Sequence, residues 1–133
     1  MQLIHKLEFP SKLENICLVE SHIDHLRDHY SIEDSIYGNM MLAVIEAVTN
    51  AIEHGNKRDH SKAVEFYTFK NEKALKFCIV DQGSGFDHTS VPDPTLPENL
   101  EEPSGRGVFL IRHLADLVVF ERNGSRIEIQ FRV

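Results

Sequence analysis

The sequence predicts an α+β fold, a mostly antiparallel sheet of about five strands with three helices on one face. Three observations carry that expectation. The apolar spacing changes along the chain in the order strand, two helices, two strands, long loop, helix, two strands. Four of the strands form two neighbouring pairs joined by short polar links, which marks them as hairpins. Helices laid on one face of such a sheet would bury every apolar stripe in two layers.

Residues 2–9 (QLIHKLEF) alternate apolar and polar, the period of a half-buried strand, and Pro10 and Ser11 end it. Ser11, with Glu14 three residues on, has the spacing of a capping box for a helix over about 12–29. That helix would bury Leu13, Ile16, Val19, Ile23, Leu26 and Tyr30. Asp34 is placed to cap a second helix over about 35–54, whose bulky stripe is Met41, Val44, Ile45, Val48 and Ile52. Gly55 then stands where a helix stop is expected. Residues 63–70 (AVEFYTFK) and 74–80 (ALKFCIV) predict a hairpin across "NEK". Residues 86–104 contain Pro92, Pro94, Pro97 and Pro103 and cannot be regular throughout. A loop of that length in a small domain is usually functional or disordered. A third helix is expected over about 105–116, with Val108, Ile111 and Leu114 or Ala115 on one side. Residues 117–122 and 125–132 predict a second hairpin, turning at Asn123-Gly124, the strongest short hairpin signal there is.

The chain has 133 residues, which suits one domain over 1–133 with one core, and there is no internal repeat. No apolar run approaches the roughly 20 residues that span a membrane, and the start "MQLIHKLEFP" has no signal-peptide pattern. No membrane partner is expected, and a cytoplasmic location is. Cys17 and Cys78 form no CxxC and sit among apolar neighbours, so both are expected to be reduced core residues. The net charge of −7 argues against a protein that grips nucleic-acid phosphates directly. It is compatible with a protein partner, or with a small anion held by local dipoles.

Three stretches can carry chemistry. In "MLAVIEAVTNAIEHGN", Glu46 and Asn50 are four apart and share a helical face with Glu53, beside the small Ala43 and Ala47. A solvated face would look the same. A ligand face would use Glu46 to accept a proton from an attacking hydroxyl and Asn50 as a hard oxygen donor to Mg²⁺, with Glu53 at the surface. In "VDQGSGFD", Asp81 ends a strand, where its carboxylate can accept from an exocyclic amine such as that of adenine. Gly83 and Gly85 would let the chain turn and a planar ring approach. A tight turn with an exposed Asp is the plain alternative. In "PSGRGVFLIRHLAD", Gly105 and Gly107 open a helix whose free N–H groups suit phosphate, and Arg106 can add charge. A glycine-rich helix entry with a solvated Arg is the plain alternative. There is no GxxxxGK[ST], and neither glycine pair completes a dinucleotide fingerprint, because His88 and Leu110 fill the third places. His22, His25 and His29 fall on one helical face, as zinc ligands would, and as any solvated face also allows.

Taken together and in this order, "EAVTNAIEHGNKRD", "VDQGSGFD" and "GRGVFLIRHL" resemble the GHKL ATPase superfamily with its Bergerat nucleotide fold. Within it they are similar to the small stand-alone anti-sigma factors that are also serine protein kinases. The resemblance spans essentially the whole chain and implies a two-layer α/β sandwich that binds ATP and Mg²⁺. It matches Glu46 to the general base, Asn50 to the magnesium ligand and Asp81 to the residue holding the adenine amine. Gly83 and Gly85 match the glycines beside the base, with Phe86 beginning the lid over 86–104. Gly105 and Gly107 match the phosphate cradle, and Ser125 a hydroxyl near the adenine. It implies two partners, a sigma factor to be sequestered and a STAS-type anti-sigma-factor antagonist to be phosphorylated on serine, and a homodimer. A non-catalytic, nucleotide-dependent protein-binding module of the same fold is the alternative. Histidine kinases share the nucleotide fold but also carry a helical dimerisation domain, for which this chain has no room.

Overall fold

A computed structural model describes residues 1–83 and 103–133, the first four of the second segment by backbone alone. Five strands form one sheet: β1 Gln2–Pro10, β2 Ala63–Lys70, β3 Ala74–Val80, β4 Leu117–Glu121 and β5 Arg126–Arg132. Their spatial order is β1-β2-β3-β5-β4, and every neighbouring pair is antiparallel. The helices are α1 Ile16–Tyr30, α2 Asp34–Asn50 and α3 Pro103–Leu114. The expected α+β architecture is what the described residues form.

Register explains the core. Pairing sets Leu7 beside Phe66, Phe66 beside Ile79, and Phe77 beside Ile129. Because side chains alternate across a strand, these fall on one face. Val64, Phe66 and Thr68 are buried on β2, as are Ile127, Ile129 and Phe131 on β5. The same cluster takes Val19, Ile23 and Leu26 from α1, Met40, Val44 and Val48 from α2, and Ile111 from α3. Burying a side chain of this size contributes roughly 1.5–3 kcal/mol. The opposite face is mixed: Arg126 bonds Glu121 and Glu128 there, beside the buried Cys78 and Val80.

Several local expectations fail for identifiable reasons. Ser11 caps no helix: its hydroxyl donates to the Lys62 carbonyl at 2.5 Å, tying the end of β1 to the start of β2. Leu13–Asn15 is a 3-10 turn, α1 begins only at Ile16, and Leu13 stays exposed. Asp34 is the first residue of α2 rather than its cap and pairs with Arg27 at 3.2 Å. Cys17 is exposed, because α1 turns Val19, Ile23 and Leu26 inward, whereas Cys78 is buried as expected. The helix after the loop begins at Pro103, two residues before the expected start, with proline in the first turn, where its missing N–H costs nothing.

The two hairpins form as expected. Asn71 closes the first, its side-chain oxygen accepting from the backbone of Lys73 and Ala74. In the second, the strands end at Glu121 and Arg126; Arg122, Asn123 and Gly124 all take positive φ (51°, 57° and 93°), and Ser125 N–H closes on the Arg122 carbonyl at 3.2 Å around Asn123-Gly124. That is the primed turn that Asn-Gly favours. No helix of the described residues is long and apolar enough to cross a membrane.

Candidate functional site

The candidate site is built along α2 and the turn that follows it. After Asn50 the helix widens into a π-helical turn, Ala51–Gly55. Such turns are rare, and many lie at functional sites. Ala43 and Ala47, expected beside the ligand face, are instead buried in the core. The reason is that α2 is packed by α1, by α3 and by the sheet, so its apolar arc is wider than one stripe.

Glu46 and Asn50 remain half-buried, and α3 crosses directly over them. A methyl group at Gly107 would sit 2.7 Å from Asn50 Nδ2 and 2.9 Å from Glu46 Oε1. Only a residue without a Cβ allows α3 to come this close. The structure therefore brings Glu46, Asn50 and Gly107 together. Burial is the larger cause that raises the Glu46 pKa above the ordinary carboxylate range, and the Glu53 carboxylate adds to it, while His54 acts the other way. Glu53 is half-buried and paired with Arg58 at 2.6 Å, so it touches the site electrostatically rather than standing apart at the surface.

Asp81 follows β3. Its own N–H is held by the Ser125 carbonyl at 2.9 Å, and one carboxylate oxygen accepts the Gly83 N–H at 2.8 Å. Burial raises the Asp81 pKa, against the opposing pull of that N–H and of Lys62. A Cβ on Gly55 would overlap the Asp81 carboxylate, and a Cβ on Gly83 would overlap the Gly55 carbonyl. The helical segment does stop at Gly55, as expected, but without a left-handed residue there, since among the described glycines only Gly124 has positive φ. The role of Gly55 is close approach. The end of α2 carries Asn50 on one side of the π turn and meets the Asp81 turn on the other.

Ser125 is buried beside this turn, with its backbone serving Asp81 and its hydroxyl donating to the Arg122 carbonyl at 2.9 Å. Gly85, Phe86 and residues 86–102 of the expected lid lie outside the described residues. Gly105 and Arg106 lie in the first turn of α3, where only the backbone is described.

Two residues escaped the reading of the sequence. Gly55 was legible only as a helix stop. Asn56 is fully buried, and its side chain accepts from Gln82 N–H at 2.7 Å and donates to Ser11 Oγ at 2.8 Å. A lone Asn after a glycine gives no sequence signal for that.

The histidine face of α1 is resolved differently from a zinc site. His22 turns inward to bond Thr68 at 2.8 Å and stacks on His5, with ring centroids 4.1 Å apart, while His25 and His29 stack on each other. They line a cleft of about 470 Å³ between α1 and β1. Among the described residues no group of three or more His, Cys, Asp or Glu is placed to hold a metal ion.

Comparison with known proteins identifies the family of the chain. The family model of the histidine kinase-like ATPase domain matches residues 9–133. The chain is 26% identical over 117 residues to "Serine-protein kinase RsbW" of Oceanobacillus iheyensis, covering 84% of this chain and 74% of that protein. It is 32% identical over 96 residues to the protein of the same name from Staphylococcus aureus, covering 66% of this chain and 60% of that one. The match to the family model takes in the half-buried Glu46 and Asn50, the Asp81 turn and the glycine-bearing start of α3, and on that ground the chain belongs to the histidine kinase-like ATPase, or GHKL, family.

Proposed function

We propose that the chain is a Mg²⁺-dependent ATP-binding switch protein that phosphorylates a serine of a partner. The observation that carries this reading is the approach of Gly107 to Glu46 and Asn50, which sets a carboxylate of raised pKa and a neutral side-chain amide under the start of one helix. The residues fit the nucleotide and its ion. Asn50 would hold Mg²⁺ through its amide oxygen, a hard donor of the kind this ion accepts. Asp81 would accept the exocyclic amine of adenine, with Gly83, Gly85 and Phe86 beside the base and Ser125 close by. Gly105 and Gly107, with Arg106, would meet the phosphates at the positive end of α3. Bound Mg-ATP supplies the transferable phosphoryl group.

Glu46 accepts the proton of the attacking serine hydroxyl. Burial serves this task, because a base works best when its pKa lies nearer the working pH. The remaining contribution of the chain is positioning and charge neutralisation. The partners we infer are a sigma factor held by this chain and an antagonist protein of STAS type that is its substrate, with the chain working in the cytoplasm as a homodimer. Phosphorylation of the antagonist stops it binding and leaves this chain free for the sigma factor. The kinase name of the two relatives supports the reaction.

The test is transfer of label from γ-labelled ATP to the antagonist. Wild type is expected to transfer, and Glu46→Ala to lose roughly 10²–10⁴-fold in rate. Equal transfer by both removes Glu46 as the base. Binding of ATP without transfer by either favours the non-catalytic module.

A further inference from the structure

Asn56 is the most completely used polar side chain among the described residues, and the chemistry above assigns it nothing. It is 0% exposed. Its oxygen accepts the Gln82 N–H at 2.7 Å. Its two amide hydrogens go to Ser11 Oγ at 2.8 Å and to the Ala63 carbonyl at 3.1 Å. Ser11 in turn donates to the Lys62 carbonyl. One amide group therefore joins the end of β1, the start of β2 and the residue directly after Asp81.

The surrounding backbone needs such a clamp. Lys57 and Arg58, which follow Asn56, both take positive φ (53° and 57°), a conformation L-residues seldom adopt. It persists only where neighbouring contacts hold it. On the other side, the orientation of the Asp81 carboxylate is set by the Gly83 N–H it accepts. Gly83 is placed by the Gln82 backbone, and Gln82 is held twice: its N–H by Asn56, and its side-chain oxygen by Ala63 N–H at 2.8 Å.

We propose that Asn56 is a positioning residue for the Asp81 carboxylate, acting through the Gln82 backbone to set how tightly the site prefers a base that carries an exocyclic amine. The inference rests on the reading of Asp81 given above. Its consequence is selective. Loss of the clamp lets the Asp81 turn shift, which weakens recognition of the amine, while the phosphate end near Gly107 is held by other contacts.

The experiment compares ATP with purine riboside triphosphate, which lacks the amine, by calorimetric titration in Mg²⁺. Wild type is expected to prefer ATP, and Asp81→Asn to lose the preference. Asn56→Ala is expected to lose most of it, by roughly tenfold in the ratio of affinities, because the Gln82 N–H loses its partner. Asn56→Asp keeps an acceptor for that N–H and is expected to keep most of the preference. Ser11→Ala weakens the fold through the same network without touching Gln82, so its ratio should stay at the wild-type value even as its melting temperature falls. Should Asn56→Ala fail to fold, Asn56→Ser, which leaves room for water, is read in its place. A folded Asn56→Ala or Asn56→Ser variant with the wild-type ratio overturns the proposal and leaves Asp81 in its role. Equal loss of the ratio in Ser11→Ala overturns it as well, by showing a general effect of destabilisation. Absence of any preference in wild type, or an unchanged ratio in Asp81→Asn, overturns the reading of Asp81 and the proposal with it.

Discussion

Glu46 has the clearest physical signature of any single residue in the site. Its carboxyl is pushed above the ordinary range first by burial under α3 and then by the like charge of Glu53. Glu53 itself is held in place by Arg58. A base must be deprotonated to act, so the acid limb of the rate profile should fall at a higher pH than for an ordinary glutamate. Removing the neighbouring charge with Glu53→Gln should lower the Glu46 pKa and move that limb to lower pH, with little change in the rate plateau. A pH series of phosphotransfer rates checks this, and an unmoved limb would show that Glu46 is not the titrating group.

The π turn connects the two halves of the site at the scale of elements. Gly55, at its end, lies so close to Asp81 that a methyl group must displace the carboxylate. Overpacking of this kind typically costs about 1–3 kcal/mol. Because the displaced group is the one proposed to read the base, Gly55→Ala should weaken ATP binding by more than the shift in its unfolding midpoint would suggest. Parallel titration and denaturant unfolding measure both, and unchanged ATP affinity would contradict the placement of Asp81. Most elements were legible from the sequence for physical reasons: alternating strands such as Ala63–Lys70 announce themselves, and Asn123-Gly124 admits few other conformations. Contacts far apart in sequence were not. The closeness of Gly55 to Asp81, and the links from Asn56 to Ser11 and Gln82, depend on how the layers dock. No spacing rule encodes that, so Ser11 looked like a cap, and Gly55, which does end its helical segment, gave no sign of its contact with Asp81. Glu46, Asn50 and Asp81, the residues proposed to carry the chemistry, stood out because the order and spacing of their motifs resemble those of a known nucleotide-binding family.

For the whole molecule, the junction of α1 with the sheet makes stability depend on pH. Burial, with His5 and His25 nearby, lowers the pKa of His22 from 6.5 to about 4. The folded state therefore binds fewer protons than the unfolded chain between those values. Stability is complete above about pH 6.5 and is lost as pH falls toward about 4, below which this residue adds no further loss. The full shift corresponds to about 3 kcal/mol as an upper bound. His22→Gln should flatten this part of the curve relative to wild type. Denaturant unfolding at a series of pH values checks it, and an equal slope in both proteins would contradict a neutral, buried His22.

The most direct test of the account is a map of where Mg-ATP touches the chain. Backbone amide shifts recorded during a titration of the isotope-labelled protein are expected to move around Glu46 and Asn50, Gly55, the Asp81–Gly83 turn and Gly107 together, saturating with one affinity. Shifts confined to another surface, such as the histidine-lined cleft between α1 and β1, or no saturable change at all, would contradict a single nucleotide site built on α2.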